Sequence, residues 1–138
     1  MKLGMVTDRR GTPLAVATDS ASVPEVVLGP AVLAGIPPVV DVPWGAPVLA
    51  DRGYDSDPLR EELAEGGFEL LSPHRKGRKR PPVNDGRRMR RYRRRYVVER
   101  TFGWLKSFRR VATRFEYHVG LFDGFVSLAC AFIALSRL

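Results

Sequence analysis

The sequence predicts an α/β domain built on a small sheet, and three observations carry that prediction. Two short β-prone runs, residues 3–7 and 14–18, flank the turn Asp8-Arg9-Arg10-Gly11 and read as a hairpin. A strand, helix, strand alternation follows at residues 48–50, 57–65 and 68–71. The last third lacks strand signals and reads as two helices, at about 87–110 and 121–136.

The elements follow in order. Residues 23–33 have helical apolar spacing, with Pro24 tolerated in the first turn. Residues 36–47 are proline-rich and read as a loop. The apolar run Val48-Leu49-Ala50 is a buried strand that stops at Asp51, and Asp51-Arg52-Gly53-Tyr54-Asp55 is a turn. Ser56 is placed to cap the next helix, whose early turns hold acids where the helix dipole favours them. Gly66-Gly67 stops that helix, and residues 68–71 form a strand. Residues 73–86 are basic, with proline and glycine, and are expected to be a mobile loop. No proline or glycine interrupts residues 87–102, so one long helix is expected there, with Val98, Phe102 and Leu105 on its core face. No internal repeat is present.

With 138 residues, the chain is one domain or part of one, long enough to bury a core. Its 44% apolar content excludes wholesale disorder. The net charge of +8 points to an anionic partner, with nucleic acid first. The charge is uneven: residues 74–114 hold 17 of the 23 basic residues and 2 of the 15 acidic ones. A uniformly basic solubility surface would not divide this way. The one cysteine, Cys130, makes no intrachain disulfide and is expected as a buried thiol in a reducing cytoplasm. The opening MKLGMVTDRR has no apolar leader core. The most apolar stretch, residues 121–138, is broken by Asp123, Gly124 and Ser127, so a buried helix is expected and no membrane span.

Two carboxylates stand at positions where chemistry is possible. Asp51 lies at the C-terminal end of a predicted strand, the edge where open α/β sheets collect ligands. The alternative is a turn aspartate that bonds its own backbone ahead of Gly53. Glu99 belongs to a stripe with Tyr92, Arg95 and Lys106, spaced three, four and seven apart and therefore on one helix face. The alternative there is a solvated face with an Arg95–Glu99 ion pair. Residues 87–95 hold seven arginines, among them Arg87, Arg88, Arg90, Arg91 and Arg94. Phosphate contact compensates such a run better than solvent does. Tyr92, Tyr96 and Trp104 are candidates for base stacking, with Trp104 preferred as core. His74 and His118 have no partners at ligand spacing and are assigned to no metal.

Together these features resemble the DDE transposases of bacterial insertion sequences. Two blocks carry the resemblance. One is Val48-Leu49-Ala50-Asp51-Arg52-Gly53-Tyr54-Asp55-Ser56, similar to the family's second-aspartate block. The other is Tyr92-x2-Arg95-x3-Glu99-x6-Lys106, which fits the family's Y-x2-R-x3-E-x6-K signature at all four positions. The resemblance implies a ribonuclease-H-like α/β fold, incomplete in this chain, whose 138 residues would be the C-terminal portion of the catalytic domain. It implies Asp51 and Glu99 as catalytic, metal-binding carboxylates for two divalent ions, Mg²⁺ or Mn²⁺, in the complete enzyme. It implies DNA contacts by Tyr92, Arg95, Lys106 and the arginine run, with element ends and target as the DNA partners. An upstream half of the transposase and further copies in the active complex are the implied protein partners.

The family's first aspartate and its N-terminal DNA-binding region are expected to be absent. Asp8 and Asp19 do not match the first-aspartate block and receive no role. Hence a second-frame product or a decayed copy is expected, inactive alone. A non-catalytic DNA-binding product that inhibits transposition is the competing reading. An unrelated RNA-binding module ranks below both, because no aromatic platform motif is present.

Overall fold

The computed structural model describes residues 1–83 and 86–138. Asn84 and Asp85, within the loop expected at 73–86, lie outside the described residues. The chain opens with the expected hairpin, β1 (Lys2–Thr7) antiparallel to β2 (Pro13–Asp19). Its turn is closed by the Asp8 carboxylate, which accepts from the backbone N–H groups of Arg10 and Thr12 at 2.8 and 2.9 Å. Helix α1 (Glu25–Ala34) follows. After the proline-rich loop, β3 (Ala46–Leu49) and β4 (Phe68–Leu71) pair in parallel, joined through α2 (Asp57–Glu65). The Ser56 hydroxyl caps α2 by accepting from Leu59 N–H at 3.4 Å. Gly67 turns the chain out of α2 in the left-handed region, at φ 86°.

The described strands thus form two separate two-stranded sheets, β1–β2 and β3–β4. The buried side chains form two clusters, and β1 packs against both. Leu33, Leu59, Leu63 and Leu70 bury together from α1, α2 and β4, with Val6 and Val48 packed against them. Leu3, Met5 and Val16 of the hairpin face the second cluster, built from Leu105, Phe122, Val126, Ala129, Cys130 and Ile133. Strand alternation sends Leu3 and Met5 to that side of β1. On the other side, a Cβ at Gly4 would meet Val32 Cγ2 at 2.7 Å, so glycine lets β1 lie close on α1.

The long helix expected at 87–110 is not continuous. It is divided into α3 (Gly86–Met89), a 3-10 turn (Arg91–Arg95), α4 (Tyr96–Lys106) and α5 (Arg109–Ala112). Like charges at i, i+3 and i+4 weaken a continuous helix through residues 87–95. A second break lies at Phe108, whose ψ of 116° is extended. The core face is also offset from expectation. Val97, Thr101 and Leu105 are the buried positions of α4, while Val98 and Phe102 are half-buried. Thr101 is accommodated because its hydroxyl donates to the Gly11 carbonyl at 2.7 Å. Helix α6 (Val119–Leu135) closes the second core and buries Cys130, whose thiol burial pushes up in pKa. Among the described residues no helix is long and apolar enough to cross a membrane.

Candidate active site

The pairing of β3 with β4 delivers Asp51 to its position. The ladder continues one residue past β3, where Ala50 N–H donates to the Leu71 carbonyl at 3.0 Å. The fully buried Ser72 then donates its hydroxyl to the Asp51 carbonyl at 2.6 Å. These bonds fix the Asp51 backbone. Its carboxylate performs the turn role that the sequence allowed, with Oδ1 accepting from Gly53 N–H at 2.8 Å. The other oxygen is turned outward, and Oδ2 lies 3.8 Å from Nη2 of Arg95.

Arg95 ends the 3-10 turn and leads into α4. Its Nη1 lies 3.1 Å from Glu99 Oε1, one helical turn on, and donates to the Tyr92 hydroxyl at 3.3 Å. One guanidinium therefore faces both Asp51 and Glu99, which are 48 positions apart in the chain. The Arg95–Glu99 ion pair of the alternative reading exists, and it is part of a larger constellation. Both carboxylates remain open to solvent, with side chains 46% and 58% exposed.

An open basin of about 560 Å³ lies beside this pair, lined by Glu25, Asp51, Arg52, Gly53, Tyr92 and Arg95 among others. Glu25, at the start of α1, belongs to the basin although no motif marks it. It pairs with Lys2 at 3.0 Å, and the hydrogen bond from Lys2 lowers its pKa. Twenty-six positions and a proline-rich loop separate Glu25 from Asp51, so spacing holds no signal for their proximity. Tyr54, in the turn after Asp51, has its pKa raised by burial and then by the charges of Asp51 and Glu25. Lys106 is exposed in the last turn of α4, seven residues from Glu99 and so on the same face. Of the arginine run, Arg90, Arg91 and Arg94 line a second groove beside the basin, and Arg88 pairs with Glu69 at 3.3 Å. Arg87 is exposed on α3.

A second carboxylate cluster stands four residues away. Asp55 is buried and accepts from Arg60 at 2.8 Å, Arg78 at 3.0 Å and the Arg75 backbone N–H at 2.7 Å. Asp57 accepts from Arg78 at 2.7 Å. Arg75 also donates from Nη2 to the Gly53 carbonyl at 2.5 Å. These bonds fasten part of the basic loop, expected to be mobile, against the turn behind Asp51. Burial alone would raise the Asp55 pKa, but the Arg75 N–H and the Arg60 and Arg78 guanidinium groups bring it down to about 2. Trp104 is half-buried against the second core as expected, between the guanidinium groups of Arg100 and Arg137 at 4.9 and 5.0 Å.

A family model described as the transposase DDE domain matches residues 1–133. The chain belongs to the DDE transposase family. A protein of Burkholderia cepacia named for the transposase of insertion sequence element IS402 is 36% identical over 97% of this chain. A protein of Brucella ovis named for the transposase of insertion sequence element IS6501 is 33% identical, also over 97%. This DDE transposase chain spans 62% of the length of the Burkholderia relative and 97% of the Brucella one. No solved structure matches it.

Proposed function

We propose that this chain forms the part of a DDE transposase catalytic domain that contributes Asp51 and Glu99 to a metal-dependent DNA cleavage and strand-transfer site. The observation that carries the reading is the shared cation: carboxylates from two distant elements converge on one guanidinium. Hard oxygen donors around a positive centre suit a divalent ion such as Mg²⁺ or Mn²⁺, which commonly takes one or two carboxylates and completes its shell with water and substrate phosphate. Asp51 and Glu99 would hold that ion, with a second ion in the complete enzyme. Such ions supply Lewis-acid stabilisation and an activated oxygen nucleophile for in-line phosphoryl transfer. The chain's own groups do the rest. Gly53 N–H orients Asp51, Tyr92 restrains Arg95, and Arg95 is freed to meet a DNA phosphate once Asp51 and Glu99 have another cation. Lys106 and the arginine run hold the backbone along the same face. A ribonuclease-H-like arrangement belongs to this reading, as do transposase copies assembled on element ends and target in the cytoplasm.

Among the described residues, no three His, Cys, Asp or Glu side chains form a group able to hold a metal ion. Inactivity of the chain alone, with activity restored by an upstream half that brings a further carboxylate, belongs to this proposal. The second reading, a DNA-binding product that inhibits transposition, rests on the basic segment, where residues 74–114 hold 17 of the 23 basic residues. The deciding experiment is strand transfer on element-end DNA in Mg²⁺, with the chain alone and fused to an upstream half. Activity is expected only for the fusion, and Asp51→Asn or Glu99→Gln should abolish it. Full activity after either substitution would sink the catalytic reading. Salt-dependent DNA binding without activity in the fusion would support the inhibitor.

A further inference from the structure

Helix α6 is apolar on both sides. Its inner face carries Phe122, Val126, Ala129, Cys130 and Ile133 into the second core. Its outer face leaves Leu121, Leu128, Phe132 and Leu135 between 54% and 65% exposed. Residues 119–135 include one charged side chain, Asp123, and it accepts from the Thr18 hydroxyl. A helix with water on one side ordinarily shows charge there, and a helix apolar all round is a buried one. In a chain whose charged residues make up 28%, the bare outer face of α6 marks a contact surface.

The outer face has a regular order of sizes. Leu121, Gly124, Leu128, Ala131 and Leu135 follow at steps of three, four, three and four, the spacing of a coiled-coil seam. Large and small residues alternate along it. A Cβ at Gly124 would meet nothing within 4 Å, so this position is a hole between leucines. Phe132 borders the seam and stacks on Phe108, with ring centroids 6.3 Å apart. The order large, small, large, small, large is the same in both directions. A second α6 laid antiparallel on the first can therefore set Leu135 of one copy over Gly124 of the other, and Leu128 over Ala131. The reciprocal contacts form at the same time, which is the condition of a two-fold interface. Large residues that meet small ones on an identical helix pack without any other partner sequence.

We infer that α6 pairs antiparallel with α6 of a second copy of this chain, about a two-fold axis near Leu128 and Ala131. The open side chains of this face offer roughly 600 Å² per copy, or about 1,200 Å² for the pair, the lower end of the range for specific interfaces. An area of that size predicts a dimer of micromolar affinity. The pairing goes beyond the proposed function. It needs neither DNA nor metal, so its failure leaves the catalytic reading to its own assay.

The test is the mass of the purified full chain in solution, by sedimentation equilibrium without DNA. Twice the monomer mass is expected at about 50 μM. Leu128→Lys sets two ammonium groups beside the axis and should raise the dissociation constant more than about tenfold. Val39→Lys, at a residue 89% exposed in the proline-rich loop, should leave it unchanged. Orientation is read with a short bis-maleimide linker, with the parent chain as the baseline for buried Cys130. Leu128→Cys should link to its own copy across the axis. Leu121→Cys should not, because antiparallel pairing holds the two copies of that position roughly 25 Å apart. If Leu128→Lys fails to fold, the cross-links still decide. A monomer at that concentration overturns the inference and leaves the face to an upstream segment of a longer protein. A dimer indifferent to Leu128→Lys, or self-linking by Leu121→Cys, overturns it as well.

Discussion

Asp51 and Asp55 lie four residues apart, and both face arginines, yet their surroundings are opposite. Asp55 is buried and saturated, holding Arg60, Arg78 and the Arg75 N–H at 2.7 to 3.0 Å. Asp51 has one oxygen engaged by Gly53 and the other 3.8 Å from Arg95, with about half its side chain in solvent. A carboxylate whose lone pairs are already taken by fixed cations is part of the scaffold. A carboxylate with an outward oxygen and a loosely held cation is available for exchange. The difference separates the residue that holds the turn from the residue the turn presents.

The largest expected effect falls on the exposed pair. In a fusion competent for strand transfer, Asp51→Asn or Glu99→Gln should lower the rate more than about a thousandfold, ~4 kcal/mol of barrier. Asp55→Asn should retain activity in proportion to the fraction folded. Equal losses at the two sites, after correction for folding, would erase the distinction. On stability the order reverses. Removing the Asp55 charge leaves Arg60 and Arg78 paired with Asp57 alone, and Asp55→Asn should cost about 2 kcal/mol in urea unfolding.

Acid gives an independent view of the same contrast. The folded pKa of Asp55 is about 2, below the ordinary 3.8. A group lowered in the folded state contributes stability that is present above the unfolded pKa and lost as pH falls through the folded one. Asp55 should therefore withdraw about 2 kcal/mol between about pH 4 and pH 2. Unfolding measured against pH should show this loss in the parent chain and not in Asp55→Asn. The smallest effect is expected for Asp51→Asn, within about 0.5 kcal/mol of the parent in stability, because exposed ion pairs contribute little and asparagine keeps an oxygen for Gly53 N–H.

Much of this architecture is legible in the sequence where the determinants are local. The hairpin follows from Asp8 and Gly11, the α2 start from Ser56, its stop from Gly66-Gly67, and the Asp51 turn from Gly53. Each is a short-range rule about one hydrogen bond or one backbone angle. The break of the long helix is not legible, since no proline or glycine marks Arg91–Arg95. The offset core face of α4 depends on a contact from Thr101 to Gly11, 90 positions away. Glu25 enters the basin, and the arginines of the basic loop reach Asp55 and Asp57, only through tertiary packing. The motif position of Arg95 points to phosphate; its place between Asp51 and Glu99 depends on the parallel pairing that sets β3 beside the 3-10 turn.

If Asp51 and Glu99 form one cation site where Arg95 now stands, Mn²⁺ should bind between them, and paramagnetic relaxation in an NMR titration of the full chain reads that binding. The amide signals of Gly53 and Glu99 should then broaden together, and Asp51→Asn should remove both effects while Asp55→Asn leaves them in the folded protein. Broadening centred on Asp55 and Asp57, or at Glu99 alone and unchanged by Asp51→Asn, would contradict it.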